Sequence, residues 1–550
     1  MKKKLLAMAL ATSMVFGMAA CGSNEAPAAG DGGAASSTTG NTGNASGDGG
    51  NGGSSLEVDT SEHVVINYMF TGDKPEGGAA ERLDEMMTEL NAILTEKVNA
   101  ELELYFIGWT DYLSNYNLTL AQMDGSVDLV GTASDWLDAW PNAKNGAFLE
   151  LSEEMLQTYA PQTWASVTPE QWELCKYNGE IYLMPENNYA QWTNHGYAYR
   201  LDWAKEAGLA DGVHSWEDMT TYWKYVKETY SDIIPWDSDG THYFQMASGW
   251  VASHSDFVPV DGLCTGALWG GTKDDLYTIV TPAYTDTEMM VEYAKLMKEW
   301  DEIGVWKTDV LNNTASSNRD DFRIGRTAAE QHHTQTWTDL CSATAANTIY
   351  QDDPDAETGF FYFGEEQENL VALSITHGAM AVSAASENPE RALMVYDLLR
   401  NDPECYKLLN YGIEGISYVI DENGYRALPE GYNSDTDNIN GMTSWWWGRN
   451  DALEIKDATK NWDAIDAMYK KYDAVKIDYP YGQFVPEVDD IQAKIQNVNE
   501  QYNNYMKQIS YGKYSGTAEE IVAEMQEAMK TAGIEEVTAA LQEQFDALYK

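Results

Sequence analysis

HVVINYMF at residues 63–70, ELELYFIGW at 101–109 and VDLV at 127–130 are the stretches from which the fold is read. The first alternates β-branched and aromatic residues and stops at Thr71-Gly72, so it reads as a strand running into a loop. Between the first and second runs, Leu83, Met86, Met87, Leu90, Ile93 and Leu94 recur at helical spacing, which predicts a helix over 79–98. Residues 111–123 predict a second helix, and 127–130 a short third strand ending at Gly131-Thr132-Ala133-Ser134. A β-α-β-α-β order implies a parallel sheet with right-handed crossovers, whose ligands sit beyond the carboxyl ends of the strands. The loops expected to meet a ligand are therefore 71–74, 109–112 and 132–136.

The chain has 550 residues, with 34 basic against 88 acidic side chains and a formal charge of −54. Such a charge repels nucleic acid and anionic lipid head groups, so a nucleic-acid function is excluded. Lys2, Lys3 and Lys4, an apolar run over 5–20, and Met18-Ala19-Ala20 before Cys21 form a secretory signal. The run is short for a membrane span. Residues 22–55 are almost entirely Gly, Ser, Ala, Asn, Thr and Asp, a composition that cannot bury a core and would reach roughly 30 Å as a flexible tether. The cysteines beyond Cys21, at 175, 264, 341 and 405, are too widely spaced for a zinc knuckle or redox pair. They permit two disulfides in any of three connectivities, or buried thiols. No metal and no cofactor is expected: adjacent His332 and His333 cannot readily chelate one ion, and phosphate-cradling and nucleophile-elbow motifs are absent.

The small residues before Cys21 resemble the lipobox of bacterial lipoproteins, which implies cleavage after Ala20 and lipidation of Cys21. A second resemblance covers residues 63 to the end. WELCKYNGEIYLMPEN at 172–187, followed by GYAYRLDWAKEAGL and HSWEDMTTYWKYVKETY, resembles the middle of family 1 extracellular solute-binding proteins, the group containing maltose-binding proteins. DDFRIGRTAAEQHH, with Phe322, Gly325 and Ala328 at fixed spacing, and the stretch 383–415 are similar to the longer, oligosaccharide-type branch of that family, as is FVPEVDDIQAKIQNVNEQYNNYMKQISYG. Local chemistry agrees. Gly325 suits a reversal from helix to strand, and Ser386-Glu387-Asn388-Pro389 places a capping residue and a proline before an amphipathic helix.

The resemblance implies an α/β, two-lobed periplasmic-binding-protein-like fold with a hinge between the lobes and a helical C-terminal extension. It implies that Tyr199-Arg200 begin a strand and that Trp216-Glu217-Asp218 open a helix. The expected organisation is 1–20 signal, 21–56 lipidated cysteine and tether, 57–170 with 372–430 as one lobe, and 171–371 with 431–550 as the other. The hinge is expected at 176–185 and 375–383. The implied function is an extracytoplasmic binding protein without catalytic residues, monomeric, held to the membrane by its lipid alone. It would deliver a carbohydrate to the permease of an ABC importer.

Composition points the same way, with 19 Trp and 34 Tyr against 12 Phe. Trp and Tyr carry a flat apolar face with a polar tip, which suits a pyranose whose C–H side lies on a ring while its hydroxyls meet Asp, Glu, Asn, Gln and Arg. The residues expected to bind ligand are Trp136, Trp192, Trp250, Trp269, Trp337 and Trp446 by stacking, and Asp135, Asn188, His333 and Arg449 by hydrogen bonding. Asp135 could equally cap a helix starting at Trp136. Two other readings stay open: the same fold binding a peptide through Arg200, Arg323 or Arg449, and a surface-anchored glycoside hydrolase, which would need two carboxylates about 5 to 10 Å apart.

Overall fold

The computed structural model describes residues 58–186, 195–312, 318–340, 349–438 and 445–550. The signal, Cys21, the tether, Cys341, Asn188 and Trp192 lie outside them, as does the side chain of Trp446. The chain begins as expected, with β1 (Val64–Thr71), α1 (Gly78–Val98), β2 (Ala100–Ile107), α2 (Tyr112–Gln122) and β3 (Leu129–Thr132). β1 pairs in parallel with β2 over its whole length, from Val64 opposite Ala100 to Thr71 opposite Ile107, and with β3 through Tyr68 and Met69. The helical spacing of α1 turns Leu83, Met86, Leu90, Leu94 and Val98 into this sheet. Asn99, at φ 48°, turns the chain into β2, and Asn91 fixes helix to strand by hydrogen bonds to both the N–H and the C=O of Leu102, at 2.7 and 3.1 Å.

The expected boundary at 170 is corrected. Trp172, Cys175, Ile181, Leu183 and Met184 are buried in the first core, because Leu151 and Ile181 bridge and Met184 exchanges backbone hydrogen bonds with Met380. The chain then enters the second lobe with β4 (His195–Arg200), α3 (Trp216–Thr229), α4 (Tyr243–His254), α5 (Thr287–Ile303), β5 (Ala329–His333) and β6 (Thr358–Tyr362). Tyr199 and Arg200 end β4 rather than begin it, since Leu201 already starts a helical turn. Trp216 does open α3, capped by Ser215, whose hydroxyl accepts the Asp218 N–H. Gly325 takes φ +75° between a short helix and β5, as the reversal requires. β4 is central in an antiparallel sheet of order β5-β4-β6.

The chain returns at β7 (Ala379–Val382), which adds antiparallel to β3 and completes a first-lobe sheet of order β2-β1-β3-β7. α6 (Pro389–Asn401), with Pro389 in its first turn, and α7 (Pro403–Tyr411) cover that sheet. The second expected boundary also moves. Tyr406, Tyr411 and Tyr418 pack with Leu453 and Ile455, and Trp447 belongs to the first core; Arg426 and Asp457 tie this region together at 2.9 Å. The last crossing therefore precedes α8 (Trp462–Val475), which packs with Phe360 and Tyr362 of β6. α9 (Gln492–Ser510), α10 (Ala518–Ala532) and α11 (Ile534–Tyr549) form the helical extension, packed against the second core.

Cys175 and Cys405 are buried free thiols in the first core. No helix among the described residues is long and apolar enough to cross a membrane.

Candidate ligand-binding cleft

The three loops at the carboxyl ends of β1, β2 and β3 converge. Asp73 after β1 accepts the Trp109 N–H at 3.1 Å after β2, and Trp109 stacks on Trp136 after β3, centroids 6.2 Å apart and planes at 20°. Tyr112 packs against both indoles. On the far side Trp136 stacks on Trp447 at 6.3 Å and 27°. Trp447 can lie directly on β3 because Gly131 has no side chain: a Cβ there would sit 2.7 Å from the indole ring. The row is graded outward from a fully buried Trp447 through a half-buried Trp136 to Trp109, which is 41% exposed.

Beside this row lies a charged group. No helix starts at Trp136; Asp135 instead receives His377 Nδ1 at 2.9 and 3.0 Å on its two oxygens. Burial alone would depress His377, but the Asp135 carboxylate, with Glu186 and Asp261, outweighs it and pushes the imidazole up to about 9. Glu186 ends the first crossing segment and is 2% exposed. Its carboxyl lies against Gly378, and both oxygens lack a hydrogen-bond partner among the described residues. Burial raises it to about 8 against the pull of His377 and Arg449. Arg449 is held by Asp451 at 2.8 Å and Glu454 at 3.7 Å, and these carboxylates keep it charged despite burial.

The second lobe supplies Asp261, His195 and His333. Asp261 is raised to about 7, first by burial and then by the Asp135 charge, with His377 opposing; its backbone N–H donates to Tyr479 Oη at 2.8 Å. His333, at the end of β5, is depressed to about 3 by burial and by the positive charges of His195 and His377, and its Nδ1 is buried without a partner among the described residues. Among the described histidine and acidic side chains none is grouped so as to hold a metal ion.

Of the residues expected to bind ligand, Asp135 and Trp136 stand side by side after β3, while His333 and Arg449 are within electrostatic reach of His377 and Glu186 respectively. Trp250, Trp269 and Trp337 lie elsewhere. Trp250 lies within α4, stacked on His254 at 3.6 Å with its N–H bonded to Met289 O. Trp269 is 6% exposed in the same core, its backbone bridging to Val280, and Trp337 is 5% exposed against Ala198, Phe322 and Ile465. Each covers a lobe interior. His377, Glu186, Asp261 and Trp109 were not singled out by sequence. Trp109 stands in an expected loop, Glu186 in the quoted 172–187 stretch and His377 in the expected hinge, whereas nothing around Asp261 marks it.

Residues 480–550 match a family described as a domain of unknown function (DUF3502). A carbohydrate ABC transporter substrate-binding protein of Streptococcus pneumoniae serotype 4 is 24% identical over 508 residues, 90% of this chain and 93% of that protein. Among solved structures, the N-glycan transport solute binding protein NgtS of Streptococcus pneumoniae, in complex with Man1GlcNAc, superposes with a TM-score of 0.64 at 20% identity, covering 88% of this chain and 99% of that one. The chain has the fold of a solute-binding protein. The same solute-binding-protein fold is found in an HMO-binding, ABC-transporter-associated protein of Bifidobacterium longum infantis, with a TM-score of 0.60 and 15% identity over 89% of this chain and 99% of that one. The fold that the resemblance implied is the one these structures share over 88–89% of this chain.

Proposed function

We propose that the protein captures a carbohydrate, an oligosaccharide in particular, between its two lobes and delivers it to the permease of an ABC importer outside the cytoplasm. It performs no chemistry on its ligand. The observation that carries this reading is the exposed face of Trp109 and the half-buried Trp136, stacked at the carboxyl ends of parallel strands and flanked by the Asp135–His377 pair. An apolar platform edged by a few convergent polar groups is what a ring with one C–H face and a girdle of hydroxyls needs. The similar proteins described above are named for carbohydrate transport or glycan binding. A lipid on Cys21, a Gly/Ser-rich tether and a monomeric lobe pair complete the reading.

The peptide reading is weakened by the state of its candidate cations. Arg200 is paired with Asp202 and Asp353 and lies over Trp203, Arg323 pairs with Asp320, and Arg449 is held by Asp451 and Glu454, so none stands ready for a peptide carboxylate. A thermal-shift screen of residues 56–550 against neutral oligosaccharides, acidic oligosaccharides and short peptides tests the proposal. A saccharide at a hundred times its dissociation constant stabilises the fold by about 2.7 kcal/mol and is recovered unchanged. A cleaved glycan would restore the hydrolase, and a shift with peptides alone would remove the carbohydrate.

A further inference from the structure

The segment that opens the C-terminal extension, Gln483-Phe484-Val485-Pro486-Glu487-Val488, runs between the two lobes without helix or turn. Pro486 disfavours the helical region at Val485, so the run stays extended and successive side chains point to opposite sides. Phe484 and Val488 face the second lobe, 7% and 8% exposed in its core, and Phe484 meets Phe545 of α11 edge to face at 5.0 Å. Gln544 of α11 clasps the backbone of Glu487, accepting its N–H at 2.6 Å and donating to its carbonyl at 2.9 Å. The alternate residues face the first lobe. Gln483 donates through Nε2 to Leu174 O, Val485 packs on the first core, and Glu487 pairs with Lys144 at 2.6 Å.

We propose that residues 483–487 are a noncovalent brace between the lobes, and that this is a role of the region 480–550 matched to a family of unknown function. Anchored on α11, the brace keeps the first lobe from swinging away while the cleft is empty. Its first-lobe partners stand outside the loops that hold the tryptophan row: Lys144 ends the short helix Ala139–Lys144, and Leu174 precedes the hairpin of 176–181. The seam is not tightly filled. A cavity of about 300 Å³ between hairpin and brace, with Tyr177, Asn178, Phe484 and Leu548 in its walls, leaves the lobes room to pivot about the contact without parting. The consequence for capture rests on the binding-protein reading above. Lobes already held near one arrangement spend less of the ligand's binding free energy on being brought together.

Double electron–electron resonance on residues 56–550 reads the lobe separation with no ligand present. Spin labels go on Glu89→Cys in α1 and Glu228→Cys in α3, both exposed, with Cys264→Ser and Cys341→Ser confining the label to them, since Cys175 and Cys405 are buried. The parent is expected to give one narrow distance distribution. Val485→Asp with Glu487→Lys sets a carboxylate against the first core and a lysine against Lys144, and is expected to broaden the distribution toward longer distances. Glu487 is 77% exposed, so Glu487→Lys alone leaves both cores intact and carries the test should the double variant fold poorly. At low ionic strength, where charges act over a longer range, it is expected to broaden the distribution, and adding Lys144→Glu restores the parent's. A broad distribution in the parent, identical distributions in all variants, or a broadening that Lys144→Glu fails to reverse overturns the brace and leaves the carbohydrate reading standing. A brace upheld beside a failed saccharide screen removes only its consequence for capture.

Discussion

A carboxyl group with no hydrogen-bond partner among the described residues, 2% exposed, is costly when ionised, and Glu186 meets that cost by holding its proton to about pH 8. Its folded value stands above the ordinary one near 4.5, so the folded state binds the proton more tightly than the unfolded chain does. The associated stability is fully present below about pH 4.5 and is lost as pH rises toward 8. His377 and Asp261 are raised as well and tilt stability the same way. Glu186→Gln keeps the shape and removes the ionisation. The melting temperature of the variant relative to the parent is expected to improve by a few degrees between pH 5 and pH 9, measured by scanning calorimetry. A difference that stays flat with pH would mean that the carboxyl is already ionised or solvated.

At the scale of elements, the tryptophan row depends on a strand that has no side chain where the innermost indole lies. Gly131→Ala would place a methyl 2.7 Å from the Trp447 ring. The strand is buried and cannot move away, so the indole must. A cost of about 1–3 kcal/mol is expected from such overpacking, together with a changed tryptophan emission and weaker saccharide binding. Unchanged affinity would separate the platform of Trp109 and Trp136 from the indole beneath it. The same elements show what sequence could and could not tell. β1, α1, β2, α2 and β3 were legible because alternation and helical spacing follow directly from which face is buried. α4 was not, since Gly249 and Ser253 weaken its helical pattern; Gly249 is small because Phe363 packs where its Cβ would be, 2.2 Å away. Trp250, Trp269 and Trp337 were misplaced for a related reason. An indole that fills a core and one that receives a sugar have the same composition, and only tertiary packing separates them.

For the whole molecule, lobe assignment from sequence was limited by the crossings. The alternation of strands and helices says nothing about which core a segment such as 172–184 joins, and that choice was made by pairing with distant partners, Met184 with Met380 and Leu151 with Ile181. Ligand binding in a cleft between lobes is expected to draw them together, because only the closed arrangement contacts both faces of the ligand. Solution scattering on residues 56–550 should record a smaller radius of gyration with a saturating saccharide than without one. An unchanged radius would place binding on one lobe alone.

The backbone ties on either side of the cleft also limit the paths available to that motion. On the first lobe the outgoing and returning segments are bonded to each other through Met184 and Met380, and on the second the returning segment is bonded to the final one through Val371, Ala372 and Ile477. Two bodies joined by a single strand can bend, twist and slide. Joined by strands laced together at each end, they keep in effect one angular coordinate. The encounter with ligand then needs no search over orientations of one lobe against the other, and little of the free energy gained at the cleft is spent on freezing motions that the fold has already removed.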